Sequence, residues 1–364
     1  MSSIRRIPQV TSASLPSILT PARPCGPRFL PLLANHQSSR GLVETKKARR
    51  PAVAADLSDL YQETNYLRNI IRSIPLIFEK PSPSTPAPGP AAPHSSEFQF
   101  PLATLFRAPT RELGLSLKDA YLSALYEHGI VGIELGFEDP DSQFILDVVK
   151  TLGFEADTHS NTQGALWDVT YKPEGVLSTA NGKTAHSISH SLGEFAWHTD
   201  GAFERKPTRF FGFHIIHPDK MGGGIFRVLK AEDLFSLLSP STVDVLTKFE
   251  FDLRVPPEFH KGVDTVKGKV LHVDSEGKPY VRYRRDIFLD PPSNNKAACD
   301  AVAELTRLLD EPEKVGEAMP SFAFKENMVL LMDNARFLHS RTDIKDRRRW
   351  LRRVRFHDNP SIKA

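Results

Sequence analysis

Residues 197–203 read W-H-T-D-G-A-F, which puts His198 and Asp200 two positions apart. Side chains at i and i+2 of an extended chain leave the same face, so His198 and Asp200 can reach one ion while Thr199 points away. The pair alone is a weak signal, because a helix cap or a surface pair explains His-x-Asp equally well. A third donor has to come from elsewhere. Met328-Val-Leu-Leu-Met332 is an apolar strand candidate that runs into the turn signal Asp333-Asn334, and His339 follows five residues after Asn334. Two histidines and one carboxylate on one side of an ion, with positions open opposite them, suit non-haem Fe(II) that handles O2.

Iron of this kind needs a reductant, and residues 347–353, R-R-R-W-L-R-R, suggest which. As a strand they place Arg349 and Arg353 on one face and Trp350 and Arg352 on the other, followed by Val354. A planar guanidinium binds a carboxylate through two hydrogen bonds and keeps its charge when buried. A dicarboxylate that chelates iron at one end and meets Arg349 at the other would account for the arrangement. Other motifs read as structural. His214 and His217 are taken to share a strand face with no carboxylate partner in view. His186 and His190, in H-S-I-S-H, sit in a loop or strand where they could touch a substrate. Trp197 and Phe203 are expected in the core. Gly222–Gly224 lacks the Lys-Ser/Thr of a phosphate loop, and no Gly-x-Ser-x-Gly stretch supports a serine hydrolase.

The elements that must position these residues follow a leader and a linker. Of the 364 residues, 40% are hydrophobic and 25% charged, an ordinary globular composition. No apolar run reaches the roughly 18 residues of a membrane span. Two cysteines, Cys25 and Cys299, cannot build a disulfide framework or a four-cysteine zinc site. The net charge of +3 is unevenly spread: residues 1–50 carry nine Lys or Arg against Glu44, which is +8 and leaves −5 for the rest. The acidic body argues against nucleic acid as a partner. The basic, Ser-rich leader suits a mitochondrial transit peptide; an untargeted basic tail and nuclear targeting through 46–50 are the alternatives. Residues 51–78 contain a short helix from Asp56 to Ile74, and 79–97 form a Pro-rich linker with six prolines between 81 and 93.

From Phe98 the pattern predicts a helix capped by Ser116-Leu-Lys-Asp119 and stopped at Gly129, a strand at Ile130–Leu135, and a helix at Asp139–Leu152 closed by Gly153. Strands follow at Ala165–Tyr171, Arg209–Ile216, Gly224–Leu229, Lys269–Val273, Tyr280–Tyr283, Met328–Met332 and Arg349–Phe356, interrupted by a helix at Asn295–Leu309. There is no internal repeat. A few helices followed by many strands predict an α+β, mainly β domain built as a sandwich or barrel.

Four motifs in order make the chain resemble the Fe(II)/2-oxoglutarate-dependent dioxygenases of the taurine dioxygenase and clavaminate synthase-like family. They are W-H-T-D-x-x-F at 197–203, Gly222-Gly223-Gly224-Ile225, D-N-A-R-F-L-H-S-R at 333–341 and R-W-L-R-R-V at 349–354, with His339 141 positions after His198. The resemblance covers about 98–358, leaving 359–364 as a tail. It implies a double-stranded β-helix (jelly-roll) core with flanking helices. It further implies that His198, Asp200 and His339 hold Fe(II), that Arg349 binds the distal carboxylate of 2-oxoglutarate, and that Arg353 is a second anion contact. Ile225 would stand where many relatives place a Thr that hydrogen-bonds 2-oxoglutarate, a loss of roughly 1.5–3 kcal/mol. The implied reaction uses O2 to hydroxylate or desaturate a small molecule, such as an amino acid or other carboxylate, with release of succinate and CO2. Two rivals remain: a jumonji-like protein demethylase, and a non-catalytic binding protein on a degenerate oxygenase fold. Oligomeric state stays open.

Overall fold

The computed structural model describes residues 96–358, apart from 159–163, 174–175, 179–183, 257–258, 260–261 and 312–313. The expectations for the leader, the 51–78 helix, nearly all of the linker and the tail lie outside the described residues. In chain order, β1 (Leu105–Ala108) leads through α1 (Arg111–Ser116) and α2 (Lys118–His128) to β2 (Ile130–Leu135). Helix α3 (Gln143–Thr151) precedes β3 (Glu155–Ala156) and β4 (Leu166–Thr170). A hairpin of β5 (Val176–Ser178) and β6 (Thr184–His186) comes before β7 (Phe195–His198), β8 (Phe210–His217) and β9 (Phe226–Lys230). After α4 (Ala231–Leu237) and α5 (Pro240–Lys248), β10 (Phe251–Arg254) pairs with β11 (Thr265–Gly268), and β12 (Leu271–Val273) with β13 (Pro279–Val281). Then come α6 (Lys296–Leu309), β14 (Glu317–Ala318), β15 (Met328–Asp333), β16 (Phe337–Arg341) and β17 (Trp350–His357).

Two sheets face each other. The larger runs β1-β2-β15-β8-β17-β3 with β4 also on β17, and the smaller runs β14-β9-β16-β7. Apart from the parallel β1–β2 pair, these pairings are antiparallel. All six residues of β15 are buried, as a strand covered on both faces must be, and its M-V-L-L-M run is continuous rather than alternating for that reason. Between the sheets lies a core that includes Phe211, Phe213, Phe226, Val228, Leu330 and Leu351. Outside the larger sheet, Tyr121, Leu125, Phe144 and Val148 of α2 and α3 pack on Val131, Ile133, Leu331 and Val354. Outside the smaller sheet, Trp197, Leu229 and Leu338 pack on α4 to α6 and the two small hairpins. This is the two-sheet jelly roll with flanking helices. Truncating a fully buried leucine such as Leu330 to Ala would cost about 2–5 kcal/mol.

Local sequence explains most boundaries. Gly129, at φ 74°, stops α2 in the left-handed conformation, and the Asn295 side chain caps α6 by accepting from the Ala298 N–H at 3.1 Å. Two expectations need correction. Ser116 ends α1, donating its hydroxyl to the Leu113 carbonyl, so no capping box forms and Leu117 precedes α2 without a side-chain cap. The helix expected from Asp139 starts at Gln143, because Pro140 and the left-handed Ser142 (φ 55°) interrupt it. Asp139 instead accepts the N–H groups of Gln143 and Phe144, at 3.1 and 2.9 Å. Strand β16 and helices α4 and α5 were not predicted. The chain is already paired at Ser96 and Glu97, which meet Ala318. No helix among the described residues is long and apolar enough to cross a membrane.

Candidate metal centre

Strand pairing, not proximity in sequence, assembles the three donors. On the smaller sheet β16 runs antiparallel to β7, and His339 stands directly opposite His198. Their ring centroids are 4.2 Å apart. Asp200 lies two residues past His198, in the turn after β7, while Thr199 points away and bonds Tyr283. Potential ligand atoms of His198, Asp200 and His339 all lie within 4.8 Å of one another, and all three residues are buried.

Hydrogen bonds preset the donors. The Ala196 carbonyl can only accept, and it lies 2.8 Å from His198 Nδ1, so that nitrogen carries the proton and Nε2 keeps its lone pair. Asn334, fully buried in the Asp333-Asn334 turn, accepts the Asp200 N–H at 2.8 Å and donates to the Asp200 and Thr208 carbonyls at 2.9 and 2.7 Å. Arg353 donates to Asp200 Oδ1 at 2.8 Å, and Asp200 Oδ2 is buried with no partner.

Electrostatics keep the donors in their binding forms. Burial, and then the neighbouring His339, which disfavours a second positive charge, hold the His198 imidazole neutral well below its ordinary range. Burial likewise pushes His339 down to about 4, with Asp200 opposing. Burial works against ionised Asp200, but the Arg353 guanidinium beside it outweighs that and keeps the carboxylate charged. Two neutral imidazoles, one carboxylate with a free buried oxygen and no thiolate form a donor set that fits a divalent iron ion. Phe195 stacks on His198 at 3.7 Å and Phe211 lies 4.7 Å from His339, so apolar rings wall the site.

A narrow cavity opens beside the triad, lined by residues that include Ser189, Phe195, Phe213, Phe226, Arg341, Arg349 and Arg353 together with both histidines. Arg349 immediately precedes β17 and is 2% exposed, yet its Nε and Nη1 have no acceptor. Burial and the neighbouring Arg341 push it down to about 9. The glycine run positions it. A Cβ on Gly223 would strike the backbone of Asp343 and Lys345 at 2.5–2.6 Å, and Gly224, at φ 59°, leaves room for the Arg349 Cδ and Nε. The alternation expected of β17 holds: Trp350 and Arg352 leave the other face and share Asp168.

Other expectations change. Ile225 is 44% exposed and does not line the cavity; its backbone pairs with Thr342 instead. The next residue, Phe226, starts β9 and lines the cavity instead, stacked on Phe324 at 5.2 Å. Arg353, expected as a second anion contact to cosubstrate or substrate, has Asp200 as its partner and keeps one buried nitrogen, Nε, unbonded. His214 and His217 are three apart and take different partners: Ser142 at 2.7 Å and Asp346 at 3.3 Å, the latter a carboxylate. His190 is buried on Trp167 and within 3.0 Å of the Thr170 carbonyl, and Trp197 and Phe203 are core. Arg341 and Asn334 were missed as site residues. Arg341 sits at i+2 from His339, a spacing that could have exposed it.

No curated protein matches the chain. Solved structures do. An asparagine oxygenase in complex with Fe(II), 2S,3S-3-hydroxyasparagine and succinate is 17% identical with a TM-score of 0.52, covering 67% of this chain and 82% of that one. A point mutant of the non-haem iron oxygenase OrfP with (3S)-hydroxy-L-Arg is 18% identical at TM-score 0.54, covering 69% and 84%. OrfP with Fe and alpha-ketoglutaric acid is 18% identical at 0.52, again covering 69% and 84%. At these identities the likeness establishes the fold. A family model matches residues 100–355, most of the chain, which therefore belongs to the taurine catabolism dioxygenase TauD, TfdA family.

Proposed function

We propose that the protein is an Fe(II)- and 2-oxoglutarate-dependent oxygenase that oxidises a small molecule of the amino-acid or carboxylate class. The observation that carries this reading is Arg349, a buried guanidinium without an acceptor that shares one cavity with His198 and His339. Leaving a buried cation unpaired is expensive, so the cavity calls for an anion as well as a metal. His198, Asp200 and His339 would hold the iron through His198 Nε2, the free Asp200 Oδ2 and the His339 imidazole. Bound iron supplies O2 activation coupled to decarboxylation of 2-oxoglutarate to succinate and CO2. Arg349 takes the distal carboxylate and sets its direction. Arg353 holds Asp200 Oδ1, and Asn334 fixes the backbone of the same residue. Phe195, Phe211 and Phe226 exclude water from the donors.

The substrate class is supported by the structural relatives, whose complexes hold hydroxylated asparagine and arginine. The non-catalytic alternative was motivated by Ile225, whose side chain lies outside the cavity. The test is direct. Purified protein given Fe(II), ascorbate and 2-oxoglutarate should release succinate slowly without substrate and faster with the right amino acid, and His198→Ala should abolish both. Wild-type protein that binds neither iron nor 2-oxoglutarate would sink the reading. We further propose mitochondrial import, supported by the +8 charge of residues 1–50. A fluorescent fusion of those residues that stays diffuse in the cytosol would count against it.

A further inference from the structure

Arg349 is not the only buried guanidinium with spare donors in this cavity. Arg341 ends β16, two residues beyond His339, so both side chains leave the strand on one face and enter the same space. It is 5% exposed. One terminal nitrogen, Nη2, is committed to the carbonyls of Gly193 and Ser191, and its Nε has no acceptor. Arg349 adds Nε and Nη1, both buried and unbonded. The two cations are close enough that Arg341 makes Arg349 harder to keep charged.

Among the described residues no carboxylate hydrogen-bonds either guanidinium, although Asp219 and Asp343 lie near enough to favour their charged forms. Asp219 faces Arg349, but its oxygens are taken up by the N–H groups of Met221, Gly223, Lys345 and Asp346. Asp343, the acid nearest in charge to Arg341, is exposed. Asp200 is paired with Arg353. Two guanidiniums that line one cavity with buried, unbonded donors and no carboxylate hydrogen-bonded to them suit a single carboxylate with two oxygens.

We propose that Arg341 and Arg349 together form a two-guanidinium seat for the distal carboxylate of the cosubstrate, Arg341 being a second binding residue that singles out 2-oxo acids with a terminal carboxylate. This rests on the oxygenase reading above. Besides its seat on the anion, Arg341 ties the Ser191–Gly193 segment to the strand that carries His339. Binding of the distal carboxylate therefore also steadies the chain entering β7 and His198.

The test separates a binding residue from a merely structural clamp. Full-length protein loaded with Co(II) is titrated calorimetrically with 2-oxoglutarate, succinate and pyruvate, the last having no distal carboxylate. Arg341→Gln should weaken 2-oxoglutarate and succinate by about 10- to 100-fold, the weight of one hydrogen-bonded contact to a charge. Pyruvate and Co(II) affinities should stay within about twofold. Arg341→Lys, which keeps the charge and loses the fork, should fall between Gln and wild type and serves if the Gln variant does not fold. Unchanged 2-oxoglutarate affinity overturns the proposal. So does a parallel loss of pyruvate and Co(II) affinity, which would make Arg341 a clamp only. Wild-type protein that binds neither Co(II) nor 2-oxoglutarate would overturn the oxygenase reading itself, a distinct result.

Discussion

Replacing Arg349 should move stability and ligand binding in opposite directions. In the ligand-free protein its guanidinium is 2% exposed with two unbonded nitrogens, and burial with Arg341 brings it from 12.5 down to about 9. A shift of that size corresponds to about 5 kcal/mol of disfavour for the charged form, as an upper bound. Relaxation and water entry reduce what is measured, leaving about 1–4 kcal/mol to be recovered when the charge is removed. Methionine is unbranched and fills a similar volume beside Gly224. Arg349→Met should therefore raise the urea midpoint of the metal-free protein without changing m. The same change should cost 2-oxoglutarate binding about 2–5 kcal/mol, or roughly 30- to 5,000-fold in Kd. The assay is a pair of urea melts, with and without saturating 2-oxoglutarate, alongside a calorimetric titration. Wild type should gain stability from the ligand and Arg349→Met should not. A variant that is less stable by more than about 1 kcal/mol and still binds 2-oxoglutarate at wild-type affinity would refute the reasoning, because the cation would then be structurally paired.

Three further outcomes follow from the geometry. Burial raises Asp333 to about 6 against the pull of Arg209 and Arg336. A carboxyl whose folded value exceeds its unfolded one holds its proton more tightly when folded. Stability should thus fall as pH rises from about 4 to 6 and then level off; Asp333→Asn should flatten that slope in pH-dependent urea melts. Gly224→Ala forces a side chain onto φ 59° and within 3.1 Å of the Arg349 Cδ, Arg349 Nε and Asp219 Cβ. It should cost about 1–2 kcal/mol of stability and weaken 2-oxoglutarate binding more than Co(II) binding, as read by calorimetry. Asn334→Ala removes three buried hydrogen bonds, two of them to the Asp200 backbone. Co(II) affinity should drop at least about tenfold, and a variant with wild-type affinity would show that Asp200 is positioned by Arg353 alone.

The chemistry was legible in residue types and short spacings because both are local. His198 and Asp200 at i and i+2 need only an extended chain to converge, and the alternation of Arg349 and Arg353 against Trp350 and Arg352 needs only a strand. The apolar run of β15 declared a strand covered on both faces. Short-range pattern was weaker at ends and registers. Around Gly222–Ile225 the side chain that enters the cavity is Phe226, one residue past the exposed Ile225, a difference that no local pattern marks. Strand β16 went unrecognised although it carries His339.

What belongs to the tertiary structure alone is the set of partners. Only the antiparallel pairing of β16 with β7 puts His339 opposite His198. Only the fold shows that Arg353 holds Asp200 and Arg341 holds the Ser191 and Gly193 carbonyls, while Arg349 is buried with no acceptor. Burial and the absence of an acceptor are sums over residues far apart in the chain, and no local pattern contains them. The sequence by itself determined which groups could bind a metal and an anion; the packing of the two sheets decided which of them are left unsatisfied to do so.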